Sequence, residues 1–231
     1  MPAGFKLPGL AGELFVCRGC LHPVGAGSEA GLCARCWEGL IPLDPLRCLR
    51  CALAHGEGEC PDPVAWDRGD ALWAYHGGRP PLGALLLPGI KQGDLGWRAA
   101  LLGRLDACLL PTWIEDLEAV VPVPTHPWRR WRRGFDLAED LAGWVAHRMG
   151  VPVLRPLRKA WRAPAQAERS AGARRRLPKK AFRLVDPGSV AGKAVLLVDD
   201  VWTTGTSLLR CAQALQGGGA TVRVLTLFRA T

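Results

Sequence analysis

The chain contains no asparagine, and none of its apolar runs approaches the roughly 18 residues that a membrane-spanning helix requires. Residues 1–16 lack the charged-then-apolar layout of a secretory leader, so the protein is expected in the cytoplasm, without membrane insertion. A nucleotide loop of the Walker type is excluded as well, because no Gly-Lys-Ser/Thr ending occurs. Asparagine is thermolabile, and its absence, with Arg far in excess of Lys, suits a GC-rich or heat-adapted source without bearing on function. No internal repeat is visible.

What the chain has in plenty is cysteine, and in one place. Seven of the nine cysteines fall between Cys17 and Cys60, with three pairs at Cys-x-x-Cys spacing. In a reducing compartment such clustering points to metal rather than disulfides. Cys17, Cys20, Cys33 and Cys36 supply four thiolates for a closed tetrahedral site, the structural Zn²⁺ arrangement, and Trp37 to Leu40 reads as a short helix after it. Cys48, Cys51 and Cys60 begin a second set without a fourth cysteine. Either His55 or Asp62 completes it, or the set is degraded, and pairing interleaved between the two sets is open. This stretch is poor in apolar periodicity, so metal has to supply its folding energy. It forms a zinc-finger module over residues 1–65, leaving 66–231 as the second domain.

At 231 residues and 48% hydrophobic content, that second domain has ample core. Its pattern is α/β. Strands are expected over 69–75, 118–123, 154–157, 195–198 and 221–228, and helices over 81–90, 134–149 and 206–216, an alternation that implies a mostly parallel sheet. The net charge of +9 is concentrated: residues 128–183 hold 16 Lys/Arg against 4 Asp/Glu. This is either a binding surface for polyanions or a solvated, Arg-biased face.

Residues 195–207 constrain function most. Val195, Leu196, Leu197 and Val198 read as a strand buried on both faces, with Asp199 and Asp200 at its carboxyl end, where ligands bind in open α/β sheets. Thr203, Thr204, Gly205, Thr206 and Ser207 then offer consecutive N–H groups, four hydroxyls and a glycine free to take positive φ, entering an apolar-periodic helix. That is a phosphate cradle at a helix N-terminus. Carboxylates accept from sugar hydroxyls and the turn donates to a dianion, so a sugar phosphate fits both halves.

This segment resembles the loop that binds 5-phosphoribosyl 1-pyrophosphate (PRPP) in the type I phosphoribosyltransferases. Val120-Val121-Pro122-Val123-Pro124 followed by Thr125 is similar to the run that leads into the pyrophosphate loop of the amidophosphoribosyltransferases. Arg133-Gly134-Phe135 narrows the resemblance to the ComF family, which has Arg-Gly-Phe-Asn-Gln there, although Asp136 and Leu137 depart from that pattern. Gln166, Ser170, Arg174, Arg176, Ala181 and Phe182 match a further block that in related transferases is a mobile loop, and Lys91-Gln92-Gly93 resembles the family's Lys-x-x-Gly.

The resemblance implies a type I phosphoribosyltransferase fold with an N-terminal zinc finger. It implies Mg²⁺ with PRPP, Asp199 and Asp200 at the ribose, and Thr203 to Ser207 at the 5′-phosphate. Pro124, Thr125, Arg133, Arg174 and Lys91 would bind pyrophosphate, with Arg133, Arg174 and Lys91 neutralising its charge. The acceptor of the phosphoribosyl group is unidentified. Family membership further implies a link to DNA uptake, with single-stranded DNA and a competence helicase or other uptake protein as partners. Arg129, Arg130, Arg132 and Trp131, with Trp128 and Trp161, are the candidate nucleic-acid contacts. Non-catalytic single-strand binding and PRPP sensing on the same fold are the alternative functions.

Overall fold

The computed structural model describes residues 5–6, 15–24, 28–55, 60, 64–160 and 181–230. They divide into two compact units, one of Met1–Leu43, Leu72–Leu109 and Phe228–Thr231, the other of Asp44–Ala71 and Leu110–Leu227.

In the first unit, β1 (Phe5–Lys6), β2 (Phe15–Val16) and β3 (Pro23–Val24) form a small antiparallel sheet in that order. A one-turn helix, α1 (Ala34–Trp37), follows; it begins inside the Cys33–Cys36 pair rather than after it. Strand β4 (Gly69–Ala74) enters from the second unit, and α2 (Leu82–Lys91) packs against α3 (Leu95–Leu105). The amphipathic spacing explains α2: Leu82, Leu86, Leu87 and Ile90 share one face, each at 2% exposure or less. Helix α3, absent from the expectations above, is anchored by capping. Asp94 accepts from Trp97 N at 2.9 Å and takes the Arg18 guanidinium at 2.6 Å, while Trp97 Nε1 donates to Ala30 O at 3.0 Å.

The second unit is built on a four-stranded sheet in the order β4, β9 (Thr221–Arg229), β8 (Ala194–Trp202), β5 (Ala119–Pro122). It is mostly parallel, as expected. Strands β5 and β8 run parallel with Ala119 opposite Val195 and Pro122 opposite Val198, and Val224 N donates to Arg68 O as in a parallel ladder. Val195, Leu196, Leu197 and Val198 are all at 0% exposure. A Val or Leu so buried contributes about 1.5–3 kcal/mol, so alternation disappears where both faces are covered. Between β5 and β8 come α4 (Pro127–Arg133), α5 (Leu137–Met149), β6 (Leu157–Lys159) and β7 (Phe182–Leu184). Helix α5 packs on β5 and β8, and α6 (Thr206–Gly217) packs on β8, β6 and β7.

Three expectations shift. The helix expected over 134–149 begins only at Leu137, because Gly134, at φ 76°, ends α4 and Asp136 caps α5. The strand expected over 154–157 is not continuous: Val153 makes one bridge to Val120, and the true strand, β6, starts at Leu157 and pairs antiparallel with β7. Pro156 has no N–H to give, so it pairs only through its carbonyl, which accepts from Val185 N at 2.7 Å, and the two-sided ladder begins at Leu157. The strand expected to end at Val198 runs on to Trp202, whose indole is 1% exposed and holds the chain extended past the acidic pair.

The segment from residue 44 is fastened to β4 by a bidentate ion pair. Arg47 donates to both carboxylate oxygens of Asp70, at 2.7 and 2.6 Å, and the Asp70 side chain is 3% exposed. Removing one partner of such a pair orphans a charge. Asp70→Ala is expected to lower the unfolding free energy by about 3 kcal/mol, checked by urea unfolding; a loss no larger than that of an exposed ion pair would refute this account.

Candidate functional site

Strand β8 delivers Asp199 and Asp200, both half-buried, beyond its fully buried stretch. Asp199 accepts the backbone N–H of Asp200 at 2.8 Å. The chain then turns into α6 through Thr203 to Ser207. Gly205, at φ +67°, is the N-cap of α6, its carbonyl accepting from Leu209 N at 2.8 Å. Only glycine suits it, since a Cβ here would be strained and would also lie 2.8 Å from Trp202 Nε1. Thr203 and Thr204 are exposed, and the Thr204 and Thr206 hydroxyls are hydrogen-bonded at 2.9 Å. The first-turn N–H groups of α6 have no partner within the helix and carry its positive dipole end. The arrangement offers donors to an anion on the turn, and carboxylates to hydroxyls on the strand.

A second wall comes from β5. Val123 N donates to Val198 O at 2.8 Å, which sets Pro124 and Thr125 alongside the acidic end of β8. The Thr125 hydroxyl is hydrogen-bonded to Asp136, the N-cap of α5, whose carboxylate also accepts from Ala138 N at 3.1 Å. Burial pushes the Asp136 carboxyl above its ordinary range, and the neighbouring charges of Asp200 and Glu139 add to the rise against the Thr125 and Ala138 bonds. Arg133, at the end of α4, has its Nε buried and without a hydrogen-bond partner. Burial and the charge of Arg129 lower its pKa, while Asp200 and Asp136 oppose that shift. A buried guanidinium N–H left unpaired costs about 1–3 kcal/mol, which an anionic ligand would recover. The structure thus brings Asp199, Asp200, the 203–207 turn, Thr125 and Arg133 together. Pro124 lies beside them.

Arg129, Arg130, Arg132 and Trp131 lie on α4 and are exposed. Trp131 is 81% and Trp128 53% exposed, and the Arg132 guanidinium sits 5.0 Å from the Trp128 ring centroid. Lys91 ends α2 in the first unit. Arg174, with Trp161, Gln166, Ser170 and Arg176, lies outside the described residues.

The cysteines form two separate groups without interleaving: Cys17, Cys20, Cys33 and Cys36 in the first unit, and Cys48, Cys51, His55 and Cys60 in the second. Within each group the ligand atoms lie within 4.8 Å of one another. Of the two candidates for the fourth ligand, His55 takes the place; Asp62 lies outside the described residues. The geometry fits a metal. Cys17 and Cys36 sulfurs are 3.5 Å apart and those of Cys20 and Cys33 3.8 Å. A tetrahedron with metal–sulfur bonds of about 2.3 Å has edges of about 3.8 Å; a disulfide would need about 2.05 Å.

Both groups repeat one knuckle that the sequence does not display. In each, the residue two after the first cysteine donates its N–H to that sulfur at 3.4 Å, Gly19 to Cys17 and Arg50 to Cys48. In each, the first cysteine N–H meets the carbonyl five residues on, His22 at 2.8 Å and Leu53 at 2.9 Å. The residue between is left-handed, Leu21 at φ 61° and Ala52 at φ 58°. Burial pushes Cys17 and Cys48 up, but these backbone donors, with His55 in the second group, outweigh it and bring each to about 6. Burial and the neighbouring sulfurs raise Cys36, and Cys51 is pushed up to about 12. Sulfurs packed so closely lose their protons together only around a cation.

Residues 132–231 match a family described as the phosphoribosyl transferase domain. The DNA utilization protein YhgH of Salmonella typhi is 34% identical over 227 residues, 93% of this chain and 96% of that protein. Competence protein F of Haemophilus influenzae is 34% identical over 217 residues, covering 87% and 89%. Among solved structures, the glutamine PRPP amidotransferase from B. subtilis complexed with ADP and GMP aligns at 28% identity over 48% of this chain. The chain spans 22% of that one, with a TM-score of 0.34. Among the described residues, no helix is long and apolar enough to cross a membrane.

Asp136 has a pH signature. Its folded-state pKa lies above the unfolded value, so its ionisation opposes folding once the pH rises through the folded pKa. Asp136→Asn keeps an N-cap oxygen and removes that cost. It is expected to raise the melting temperature at neutral pH, with the gain shrinking as the pH is lowered toward the unfolded carboxylate range; a gain independent of pH in thermal scans would contradict the assignment.

Proposed function

The chain belongs to the ComF family, with relatives named DNA utilization protein and competence protein F over nearly their whole length, and on that premise we propose that it binds PRPP with Mg²⁺ and transfers its phosphoribosyl group to an acceptor. The observation that supports this most is the joining of two carboxylates and a glycine-capped phosphate turn on one strand-to-helix connection, with the Arg133 guanidinium buried and unpaired at Nε within the field of Asp200. The 5′-phosphate would take the N–H groups and hydroxyls of Thr203 to Ser207. Asp199 and Asp200 would accept from the ribose hydroxyls.

Transfer breaks the bond between ribose C1 and pyrophosphate, so positive charge grows on the ring and negative charge on the leaving group. The carboxylates stabilise the first and Arg133 the second, by position and electrostatics rather than by covalent help. Mg²⁺, a hard cation suited to oxygen donors, would neutralise the pyrophosphate. Zn²⁺ fits both cysteine groups, whose four protein ligands leave no open position for substrate, so its part is structural. The cysteine-rich module over 1–65 is the candidate for docking the acceptor or a DNA-uptake partner, and the cytoplasm is the compartment that suits PRPP and reduced thiols.

Calorimetry tests the core of this reading. Wild type is expected to bind PRPP with Mg²⁺, and Asp199→Ala combined with Asp200→Ala to abolish the heat of binding; undiminished binding by the double variant would remove these residues from the site. Incubation with PRPP and a cell extract, with mass detection of ribosylated products, then identifies the acceptor.

Helix α4 supports a second activity. Trp131 and Trp128, three residues apart, share one face with Arg132 over Trp128, a stacking and phosphate-binding combination suited to single-stranded nucleic acid. Trp131→Ala is expected to weaken oligonucleotide binding by about 1–3 kcal/mol per stacked base, and wild-type affinity to fall as salt rises. Fluorescence anisotropy across a salt series checks both, and an absent or salt-insensitive affinity would exclude this activity.

A further inference from the structure

Three parts of the second unit converge at Gly69. A Cβ there would lie 2.6 Å from Trp66 Nε1, 2.7 Å from the Arg50 carbonyl oxygen and 3.1 Å from Trp202 Cζ3, so only glycine lets them meet. Arg50 sits inside the second Cys-x-x-Cys pair. Its N–H donates to Cys48 Sγ at 3.4 Å and its carbonyl accepts from Trp66 Nε1 at 2.8 Å. Trp66, 3% exposed, meets Trp202 edge to face, with centroids 5.2 Å apart and planes at 76°. Trp202, 1% exposed, in turn packs its indole under Gly205, the left-handed cap of the phosphate turn. Contacts thus run without a gap from the Cys48 sulfur to the turn.

We propose that the Cys48–Cys51–His55–Cys60 group is a positioning device for the phosphate turn, acting through Arg50, Trp66 and Trp202, so that retention of a ribose 5-phosphate end depends on a metal held in this group. Its ligand half rests on the PRPP reading above; its mechanical half does not. The knuckle is strained, since Ala52 at φ 58° occupies a conformation that costs a non-glycine residue about 1–2 kcal/mol. Metal bound by the four ligands holds that backbone and with it the direction of the Arg50 carbonyl. Trp66 is oriented by this one hydrogen bond, and the edge-to-face contact passes the constraint to Trp202. Two rigid indoles with few rotamers transmit position better than flexible side chains. Released from below, Gly205 would sample other conformations and the N–H groups of the turn would no longer converge on one point.

The decisive experiment uses the full chain with metal content measured by mass spectrometry. Amide hydrogen exchange is followed over residues 203–209, and affinity for PRPP and for ribose 5-phosphate is measured by calorimetry. Trp66→Phe removes the donor to Arg50 and trims the ring that meets Trp202, cutting the path at both of its contacts while leaving the four metal ligands untouched. It is expected to keep the full metal content, to accelerate exchange in the turn, and to weaken ligand binding about tenfold, a typical coupling in a packed network. Cys48→Ser is expected to lose the metal of this group and to do the same. In the combined variant the two effects should not multiply, because both cut one path. Unchanged exchange in Trp66→Phe, or effects that multiply, would overturn the proposal. Wild type that binds neither compound would sink the ligand reading alone, the exchange data still deciding whether the cluster positions the turn.

Discussion

Strand β8 is buried on both faces, and the rest of the second unit follows from that one condition. Four consecutive side chains at zero exposure admit no polar group, so the carboxylates come only after Val198, at the end of the sheet where solvent and ligand reach them. Parallel pairing with β5 then carries Val123 to the level of Val198 and draws Thr125, Arg133 and Asp136 toward the same edge. The positive end of the α6 dipole lies there because the helix starts at Thr206, four residues after β8 ends at Trp202. Chemistry is concentrated at one edge because the interior excludes it.

The parts legible from the sequence are those whose determinants are local. The turn after β8 is contiguous, and its glycine and hydroxyl spacing are readable without a partner. The Cys-x-x-Cys pairs are likewise local. The choice of His55 as fourth ligand was open because Cys-x-x-Cys spacing alone does not say whether His55 or Asp62 comes within reach of the thiols. Helix α4 was hidden by its own composition, since Trp-Arg-Arg-Trp-Arg-Arg reads as a charge run, while its capping by His126 and Gly134 shows only in space. Strand β6 was displaced by Pro156. Trp66 and Trp202 are more than a hundred residues apart, and no period or spacing reveals that one rests on the other.

Two knuckles of the same geometry lie in different units, although their sequences share little beyond the Cys-x-x-Cys pair. What they share is backbone: a donor to sulfur, a closing bond five residues on and one left-handed residue. Leu21 and Ala52 adopt that strained conformation where glycine would be cheaper, a cost that four ligands on one ion would offset by over-determining the loop. A metal held there would do in these stretches what apolar burial does in the sheet.

Each unit is drawn from separated stretches of chain, and both are completed by β9: Leu227 closes one and Phe228 the other. On a ribosome this imposes an order. Both Cys-x-x-Cys knuckles leave it well before β9, the last strand of either unit. A chain emerging in this order can assemble its cysteine groups before its sheet, so the two kinds of stabilisation need not form together.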